Sequence, residues 1–242
     1  ENSNNNKCNI DFAKSAFEFI NKNKAQKLSV IVADITSFFD NLNHKILKRH
    51  WTRILNEKTL PEDHYNVFKA LTNIKYVEGE QLLQSYKNIV WVKRGVKNNN
   101  KESEYIRKEV SKSYYFKEKN VVAYCKKKEF LNNNLNLIVS KNNDFGIPQG
   151  SPISATLANV YMLDFDQHLF DKIESVGGYY QRYSDDLIIV CEQSHEDEII
   201  KTLRELIANK EIANLEIQPQ KTKTYRFEEI DEKFIGFEID EI

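Results

Sequence analysis

The sequence predicts an α+β fold in which helices cover one face of an antiparallel β-sheet. Three observations lead to this prediction. A β-branched apolar run at residues 28–35 is long enough for one buried strand. Two apolar stretches within 179–190 flank a polar turn, which is the pattern of a β-hairpin. Helical apolar periodicity follows each of these segments.

The first strand is followed by helical signals. Thr36 and Ser37 can begin a helix, whose apolar stripe is Phe39, Leu42 and Ile46. A second helix is predicted from Pro61. Between 87 and 141 the periodicity weakens, and we expect an inserted region that is partly strand and partly loop.

This inserted region is basic in a chain of formal net charge −1. It carries 14 Lys or Arg residues against five Glu residues and no Asp. A basic segment in an otherwise acidic chain indicates a polyanionic partner, and a solvated lysine-rich insertion remains an equal alternative.

The second half of the chain supplies the remaining elements. The turn-rich block 146–152 precedes a helix that we expect to be capped by Ser151 and to run to about Phe170. Ser194 and Asp197 form a capping-box pair for a further helix. Two final strands are predicted at Leu215–Ile217 and Phe234–Ile239.

Composition excludes several classes of protein. No apolar run approaches the roughly 18 residues that cross a bilayer. The polar start has no signal-peptide pattern, so we expect a cytoplasmic protein without a membrane partner. Cys8, Cys125 and Cys191 are isolated, and this spacing offers neither a disulfide framework nor a zinc pair.

Three aspartates are the basis for predicting a metal-dependent reaction. Asp34 lies at the end of a buried-type strand, and Asp185 and Asp186 lie at the tip of the hairpin. Carboxylates on neighbouring strand ends can hold two Mg²⁺ ions, which stabilise the attacking and leaving oxygens of an in-line displacement. The alternative is an ordinary turn Asp-Asp pair and a helix N-cap aspartate.

Five blocks, in order, resemble the reverse transcriptase family. Residues 34–40 resemble its first aspartate block, and 146–152 resemble its nucleotide-pocket block. Residues 183–186 read Tyr-Ser-Asp-Asp, similar to the family's Tyr-x-Asp-Asp box. Residues 219–222 resemble the lysine-bearing block, and 234–237 the primer-grip strand.

The resemblance implies a palm domain and a metal site. Asp34 and Asp185 would bind two Mg²⁺ ions, for which Mn²⁺ is a possible substitute, with Asp186 assisting and the backbone carbonyl of Ile35 completing the first site. Lys221 resembles the lysine that lies near the leaving pyrophosphate, and Lys223 is a competing candidate.

The resemblance also implies the substrate contacts. Phe39 corresponds to the aromatic residue under the sugar, which implies selection of dNTPs over NTPs, and a core phenylalanine is the alternative. The implied nucleotide-binding residues are Ile35, Thr36, Ser37, Phe38, Phe39, Gln149 and Gly150. The implied primer and template contacts are Tyr183, Phe234, Gly236 and Phe237.

The resemblance divides the chain into four parts. Residues 1–27 would be a partial fingers segment, 28–86 the first part of the palm, 87–144 a basic fingers-like insertion and 145–242 the second part of the palm. The thumb would be absent. Tyr105, Tyr114, Tyr115 and Tyr124 of the insertion are candidates to stack on unpaired bases.

The implied activity is RNA-directed DNA polymerisation. Its partners would be an RNA template, a DNA primer and product, and dNTPs, with a dedicated non-coding RNA or a partner protein as further candidates. The form of residues 38–44 resembles bacterial members of the family. The long spacing between Asp34 and Gln149 implies an insertion, which favours the phage-defence or abortive-infection group. Two alternatives stay open: a non-templated or protein-primed polymerase, and a catalytically silent RNA-binding scaffold.

Overall fold

The computed structural model describes residues 9–94, 104–111, 121–140, 144–230 and 233–239. The chain divides into two compact units. The first contains residues 1–72 and 144–242, and the second contains residues 73–143. In the described ranges no helix combines the length and the apolar character needed to span a membrane.

Strands and helices follow one another along the chain within these ranges. The strands are β1 Leu28–Asp34, β2 Lys75–Tyr76, β3 Ile89–Arg94, β4 Glu104–Glu109, β5 Val121–Ala123, β6 Val139–Ser140, β7 Tyr179–Tyr183, β8 Asp186–Glu192, β9 Lys223–Ile230 and β10 Lys233–Ile239. The helices are α1 Asn9–Lys22, α2 Phe38–Asn41, α3 His44–Ile54, α4 Glu62–Thr72, α5 Gly79–Ser85, α6 Lys127–Asn133, α7 Ser154–Tyr161, α8 Leu163–Ser175 and α9 Glu196–Ala208.

The first unit is built on a five-stranded sheet. Its strand order is β10-β9-β1-β8-β7, and every neighbouring pair is antiparallel. The predicted first strand therefore lies at the centre of the sheet, and the predicted hairpin forms one edge. The α+β prediction with an antiparallel sheet is confirmed.

The two faces of this sheet are covered by different elements, because side chains alternate along a strand. On one face Ile31 and Ala33 of β1 join the main core with residues of α3, α7, α8 and α9. On the other face Leu28 and Val30 pack with Ile20 of α1. The helical layer was predicted, whereas the cover that α1 gives to the second face was not.

Several predictions about helices are wrong. The helix expected from Ser151 to Phe170 is two helices, α7 and α8, that meet at Met162. Ser151 does not cap α7, since the N-cap position is Ile153 and makes no side-chain cap hydrogen bond. The Ser194 and Asp197 capping box is also not formed, because His195 occupies the N-cap of α9.

The predicted strand Leu215–Ile217 is reduced to one isolated bridge, between Ile217 and Ile35. Its place beside β1 in the sheet is taken by β9, which the sequence analysis did not identify. β9 mixes charged, polar and apolar residues without a β-branched run, and both of its edges pair with other strands. Long-range pairing rather than local propensity makes it a strand.

The second unit contains a small sheet of order β4-β3-β5, and a separate ladder between β2 and β6. The hydrophobic core of this unit consists of Leu83, Val90, Val92 and Val110. The strands expected for this region are present, but the region also contains the helix α6, which was not predicted. Among the tyrosines considered for base stacking, Tyr105 is exposed and Tyr124 packs against the core. Tyr114 and Tyr115 lie outside the described residues.

An ion pair between α9 and β9 predicts a pH dependence of stability. The Arg226 guanidinium donates to both carboxylate oxygens of Glu196, at 3.2 and 2.9 Å. Burial raises the pKa of Glu196, but the hydrogen bonds from Arg226 outweigh it and leave the pKa below its ordinary value. This stabilisation is present above the ordinary pKa of 4.5 and is lost as the pH falls through the lowered one.

Glu196→Gln should therefore lower the free energy of unfolding at pH 7 by about 1–3 kcal/mol. The difference from the parent should shrink as the pH is lowered toward 3, because the parent loses the pair. Urea unfolding at several pH values measures this. Glu205→Gln, on the exposed face of the same helix, is the control and should show no such trend. A deficit for Glu196→Gln that is independent of pH would contradict the assignment.

Candidate active site

Two aspartates meet where strand β1 ends and strand β8 begins. In the β1–β8 register Asp34 and Asp186 are direct partners, so their side chains leave the same face of the sheet. The backbone N–H of Ile35 donates to the carbonyl of Asp185 at 3.0 Å. The three predicted carboxylates are thus gathered at one end of the central strand pair.

The hairpin turn that carries Asp185 is tight. Tyr183 and Asp186 pair across it, which leaves Ser184 and Asp185 as the two turn residues. Ser184 has a φ of 58°, in the left-handed region that an L residue seldom adopts. Asp186 was expected at the tip, but it is already the first residue of β8.

Lys221 contacts this acidic cluster. Its Nζ donates to Asp34 Oδ2 at 3.0 Å, from a short 3₁₀ turn at Pro219–Lys221. The turn is tied to β1 because the N–H of Gln218 donates to the carbonyl of Asp34 at 2.8 Å. The competing candidate, Lys223, instead pairs with Glu238 at 2.7 Å. The structure therefore brings Lys221, and not Lys223, to the carboxylates.

The carboxylates of the cluster repel one another. Partial burial raises the pKa of Asp186, and the negative charges of Asp185 and Asp34 raise it further. The pKa of Lys221 is raised by its hydrogen bond to Asp34 and, additionally, by the charges of Asp185 and Asp186. A region of negative potential at two strand ends attracts cations.

The donor atoms of the cluster are all oxygens, the ligands that Mg²⁺ prefers, so its chemistry fits a hard divalent cation. As the side chains stand, however, no three Asp, Glu, His or Cys residues in the described part of the chain are arranged closely enough to hold a metal ion. Asp34 accepts from Lys221 instead. Metal binding by Asp34, Asp185 and Asp186 would require these side chains to turn toward one another.

The two blocks implied in nucleotide binding are joined by backbone hydrogen bonds. The N–H of Ile147 donates to the carbonyl of Phe39 at 2.9 Å, and the N–H of Gly146 donates to the carbonyl of Leu42 at 2.8 Å. Gln149 and Gly150 lie further along this loop and are exposed. Gly150 has a φ of 87°, which favours glycine there.

The residues after Asp34 differ in their surroundings. Ile35 is buried, Thr36 is half-buried, and Ser37 is exposed with a φ of 45°. Phe38 is buried in the main core, whereas Phe39 is only half-buried and meets the Phe38 ring edge at 5.4 Å between centroids. Only Phe39 of this pair keeps a partly accessible ring, as a contact under a sugar would need.

The residues implied in primer and template contact are spread over the sheet. Phe234 and Gly236 lie on the face that α1 covers, and Phe234 packs 5.8 Å from the Phe227 ring. A side chain at Gly236 would collide with the same ring, at 2.4 Å. Phe237 points to the opposite face and is 39% exposed. Tyr183 is 54% exposed and lies beside Phe12 of α1.

The sequence analysis missed one group of residues at this site. Arg182, directly before the Tyr183 box residue, has a buried side chain, forms an ion pair with the half-buried Asp166 of α8 and contacts the backbone of the turn. A charged residue at a core-facing strand position was the available signal. Its partner, 16 residues earlier on a helix, could not be identified without the fold.

A family model described as reverse transcriptase (RNA-dependent DNA polymerase) matches residues 106–239, which is more than half of the 242 residues. The matched range includes Gln149, Asp185 and Lys221 and begins after Asp34. No curated protein matches the sequence.

Two telomerases are among the similar solved structures. The apo telomerase of Candida tropicalis, truncated from its C-terminal domain, aligns with a TM-score of 0.48 and 16% identity, over 97% of this chain and 39% of that chain. Telomerase from Candida albicans, in complex with the TWJ fragment of telomeric RNA, gives a TM-score of 0.47 and 16% identity, over 89% and 31%. The chain thus spans well under half of either one.

Proposed function

This chain belongs to the reverse transcriptase (RNA-dependent DNA polymerase) family, and from that premise we propose that it is a nucleotidyltransferase that extends a DNA primer with dNTPs on an RNA template. The observation that carries the proposal is the pairing of Asp34 with Asp186 across β1 and β8, with Asp185 in the adjoining turn. Carboxylates gathered on a rigid strand pair are suited to phosphoryl chemistry.

We assign the binding of divalent cations to Asp34, Asp185 and Asp186, with the Ile35 carbonyl completing one site. Two Mg²⁺ ions, or Mn²⁺ in their place, would stabilise negative charge on the primer oxygen and on the departing pyrophosphate. In the reaction the 3′-oxygen forms a bond to the α-phosphorus, and the bond from that phosphorus to pyrophosphate breaks.

The remaining chemistry belongs to side chains of the chain itself. Lys221 brings an ammonium group to the carboxylate cluster, so we propose that it neutralises charge on the leaving pyrophosphate. Its present partner is Asp34, at 3.0 Å. Lys221 therefore has to exchange Asp34 for the phosphate when substrate and metal arrive, and the 58% exposure of its side chain leaves it room to move.

The basic second unit supports a nucleic-acid partner. Its Trp91 ring lies under two cations, Arg107 at 5.8 Å and Lys126 at 5.4 Å from the ring centroid. Tyr105 pairs across the strands with Lys93 and is 53% exposed. Cations beside accessible aromatic rings suit the phosphates and bases of a single strand. We assign template binding to this surface.

Primer extension tests the proposed reaction. The protein is incubated with an oligo-dT primer on poly-rA, a divalent cation, and either dNTPs or NTPs. We expect extension with dTTP that a chelator abolishes and that an equally purified Asp185→Asn variant lacks. The variant separates the chain's own activity from that of a contaminating polymerase.

Other outcomes would overturn the proposal. Extension that is independent of the template sequence would favour a non-templated or protein-primed polymerase. No incorporation by the parent, together with co-purifying RNA, would favour a silent RNA-binding scaffold. Extension that persists in Asp185→Asn would remove the hairpin carboxylate from the reaction.

Phe39 is proposed to exclude ribonucleotides. Phe39→Val should raise the ratio of NTP to dNTP incorporation by roughly 10–100-fold, because a smaller side chain leaves room for a 2′-hydroxyl. Competition between rNTP and dNTP in the extension assay measures the ratio. Phe38→Val is the contrast: since Phe38 is buried in the core, it should lower stability and leave the ratio unchanged. Equal ratios in parent and Phe39→Val would remove this role.

The proposed setting is bacterial antiviral defence. It is supported by the form of residues 38–44 and by the 115 positions (149 − 34) that separate Asp34 from Gln149. Phage should form fewer plaques on bacteria that express the protein than on bacteria that express Asp185→Asn. Equal plaque counts across a phage panel would argue for a different role.

A further inference from the structure

The Arg182 guanidinium makes four hydrogen bonds beside the β7–β8 hairpin. Arg182 donates from Nε to Asp166 Oδ1 at 2.8 Å and from one terminal nitrogen to Asp166 Oδ2 at 2.6 Å. That nitrogen also reaches Asn159 Oδ1 at 3.4 Å, and the other terminal nitrogen donates to the carbonyl of Ser184 at 2.8 Å. The Arg182 side chain is only 5% exposed.

Asp166 is itself held from a second side. The Tyr180 hydroxyl donates to its Oδ1 at 2.7 Å, so this carboxylate accepts from both Tyr180 and Arg182. Burial raises the pKa of Tyr180, and the neighbouring negative charge of Asp166 raises it further. The Tyr180 hydroxyl therefore stays protonated and donates to Asp166. This bond holds the carboxylate that orients Arg182 against the core-facing side of the sheet.

The contact with Ser184 links this network to the acidic cluster. Ser184 holds the left-handed conformation of the turn, which is intrinsically unfavourable for a side-chain-bearing residue. Its carbonyl is fixed by Arg182, and the next carbonyl, that of Asp185, accepts from the N–H of Ile35. A continuous chain of contacts thus runs from Asp166 in α8 to the residue after Asp34.

We propose that Arg182, oriented by Asp166, is a positioning residue that holds the Ser184–Asp185 turn in register with Asp34. This inference rests on the proposed polymerase function for its catalytic consequence, and it makes a separate statement about the geometry of the turn. A lysine cannot replace the arginine, because one ammonium group cannot reach both carboxylate oxygens and the Ser184 carbonyl with the geometry of a planar fork.

A pair of identical substitutions tests the proposal. Arg182→Lys removes the guanidinium contacts with the Asp166 carboxylate and the Ser184 carbonyl. Arg226 of β9 makes a similar two-pronged contact with Glu196 of α9 instead of with the turn, and Arg226→Lys removes that contact. Both variants should lose stability. Only Arg182→Lys should increase hydrogen–deuterium exchange at Ile35 and residues 183–187, by at least about tenfold, at a temperature where both proteins are folded.

Primer extension adds a second readout. With the amount of folded protein matched, Arg182→Lys should lower kcat by about 10–100-fold with a much smaller change in the KM for dNTP. It should also raise the divalent-cation concentration that gives half-maximal rate. Arg226→Lys should change neither. Equal exchange at the turn in the two variants, or equal kcat, would overturn the proposal.

The two readouts separate this inference from the proposed function. If the parent does not extend primers, the polymerase assignment fails, and the exchange at Ile35 and the turn still decides whether Arg182 positions them. If Arg182→Lys does not fold, Asp166→Asn takes its place, since it keeps the guanidinium and removes the charge that orients it. Unchanged exchange at the turn in Asp166→Asn would then reject the inference.

Discussion

Replacing Asp34 with Asn should lower the rate of nucleotide incorporation by at least about 1,000-fold while leaving the protein at least as stable as the parent. Asn has nearly the same shape as Asp, but it removes the negative charge on the central strand. The loss of repulsion lets the pKa of Asp186 move back toward its ordinary value. The ion pair lost with Lys221 is largely exposed on the lysine side and contributes little to stability.

The experiment combines primer extension with thermal unfolding of the same preparation. Asp171→Asn is the matched control, because Asp171 is an exposed aspartate on α8 whose hydrogen-bond partner is Gln167 of the same helix. It should retain the parent's rate. A normal rate in Asp34→Asn would reject the assigned site, and a large fall in Tm would instead indicate that Asp34 is mainly structural.

Phe165→Ala should lower the free energy of unfolding by about 3–5 kcal/mol. Phe165 is fully buried in the main core between the helices and the sheet. Removing its ring takes away apolar contacts and leaves a cavity that surrounding helices cannot fill without moving. Urea denaturation followed by circular dichroism measures the change through the midpoint.

Phe170→Ala is the control for this prediction. Phe170 lies on the same helix, α8, but its side chain is 44% exposed. The same truncation there should change stability by less than about 1 kcal/mol. Equal losses in the two variants would contradict the assignment of Phe165 to the core and Phe170 to the surface.

The central part of the fold follows from local sequence patterns. The run at 28–35 predicts a strand because both of its faces carry apolar residues, and the structure buries both. The hairpin at β7 and β8 follows from a polar turn between apolar flanks. α1 also carried a usable signal, since Phe12, Ala16, Phe19 and Ile20 recur at helical spacing.

Other features depend on contacts between distant parts of the chain. Nothing in the sequence near Met162 marks the break between α7 and α8, where neither Gly nor Pro occurs. β9 depends on its pairing with β1 and β10. At the site, the five motif blocks identified the carboxylates. The preference of Asp34 for Lys221, and the Arg182–Asp166 pair, depend on helices and strands that meet only in the folded chain.

The ladder between β2 and β6 has a consequence for how this protein can change length. Lys75 pairs with Ser140 and Tyr76 with Val139, so the chain enters and leaves the second unit through two adjacent strands. The ends of the intervening segment are already side by side, and the entropic cost of closing a loop grows only slowly with its length. Residues can therefore be gained or lost beyond this ladder at little cost to the five-stranded sheet. In evolutionary terms, the second unit is a site where the chain can accept insertions without rebuilding the sheet that holds the aspartate cluster.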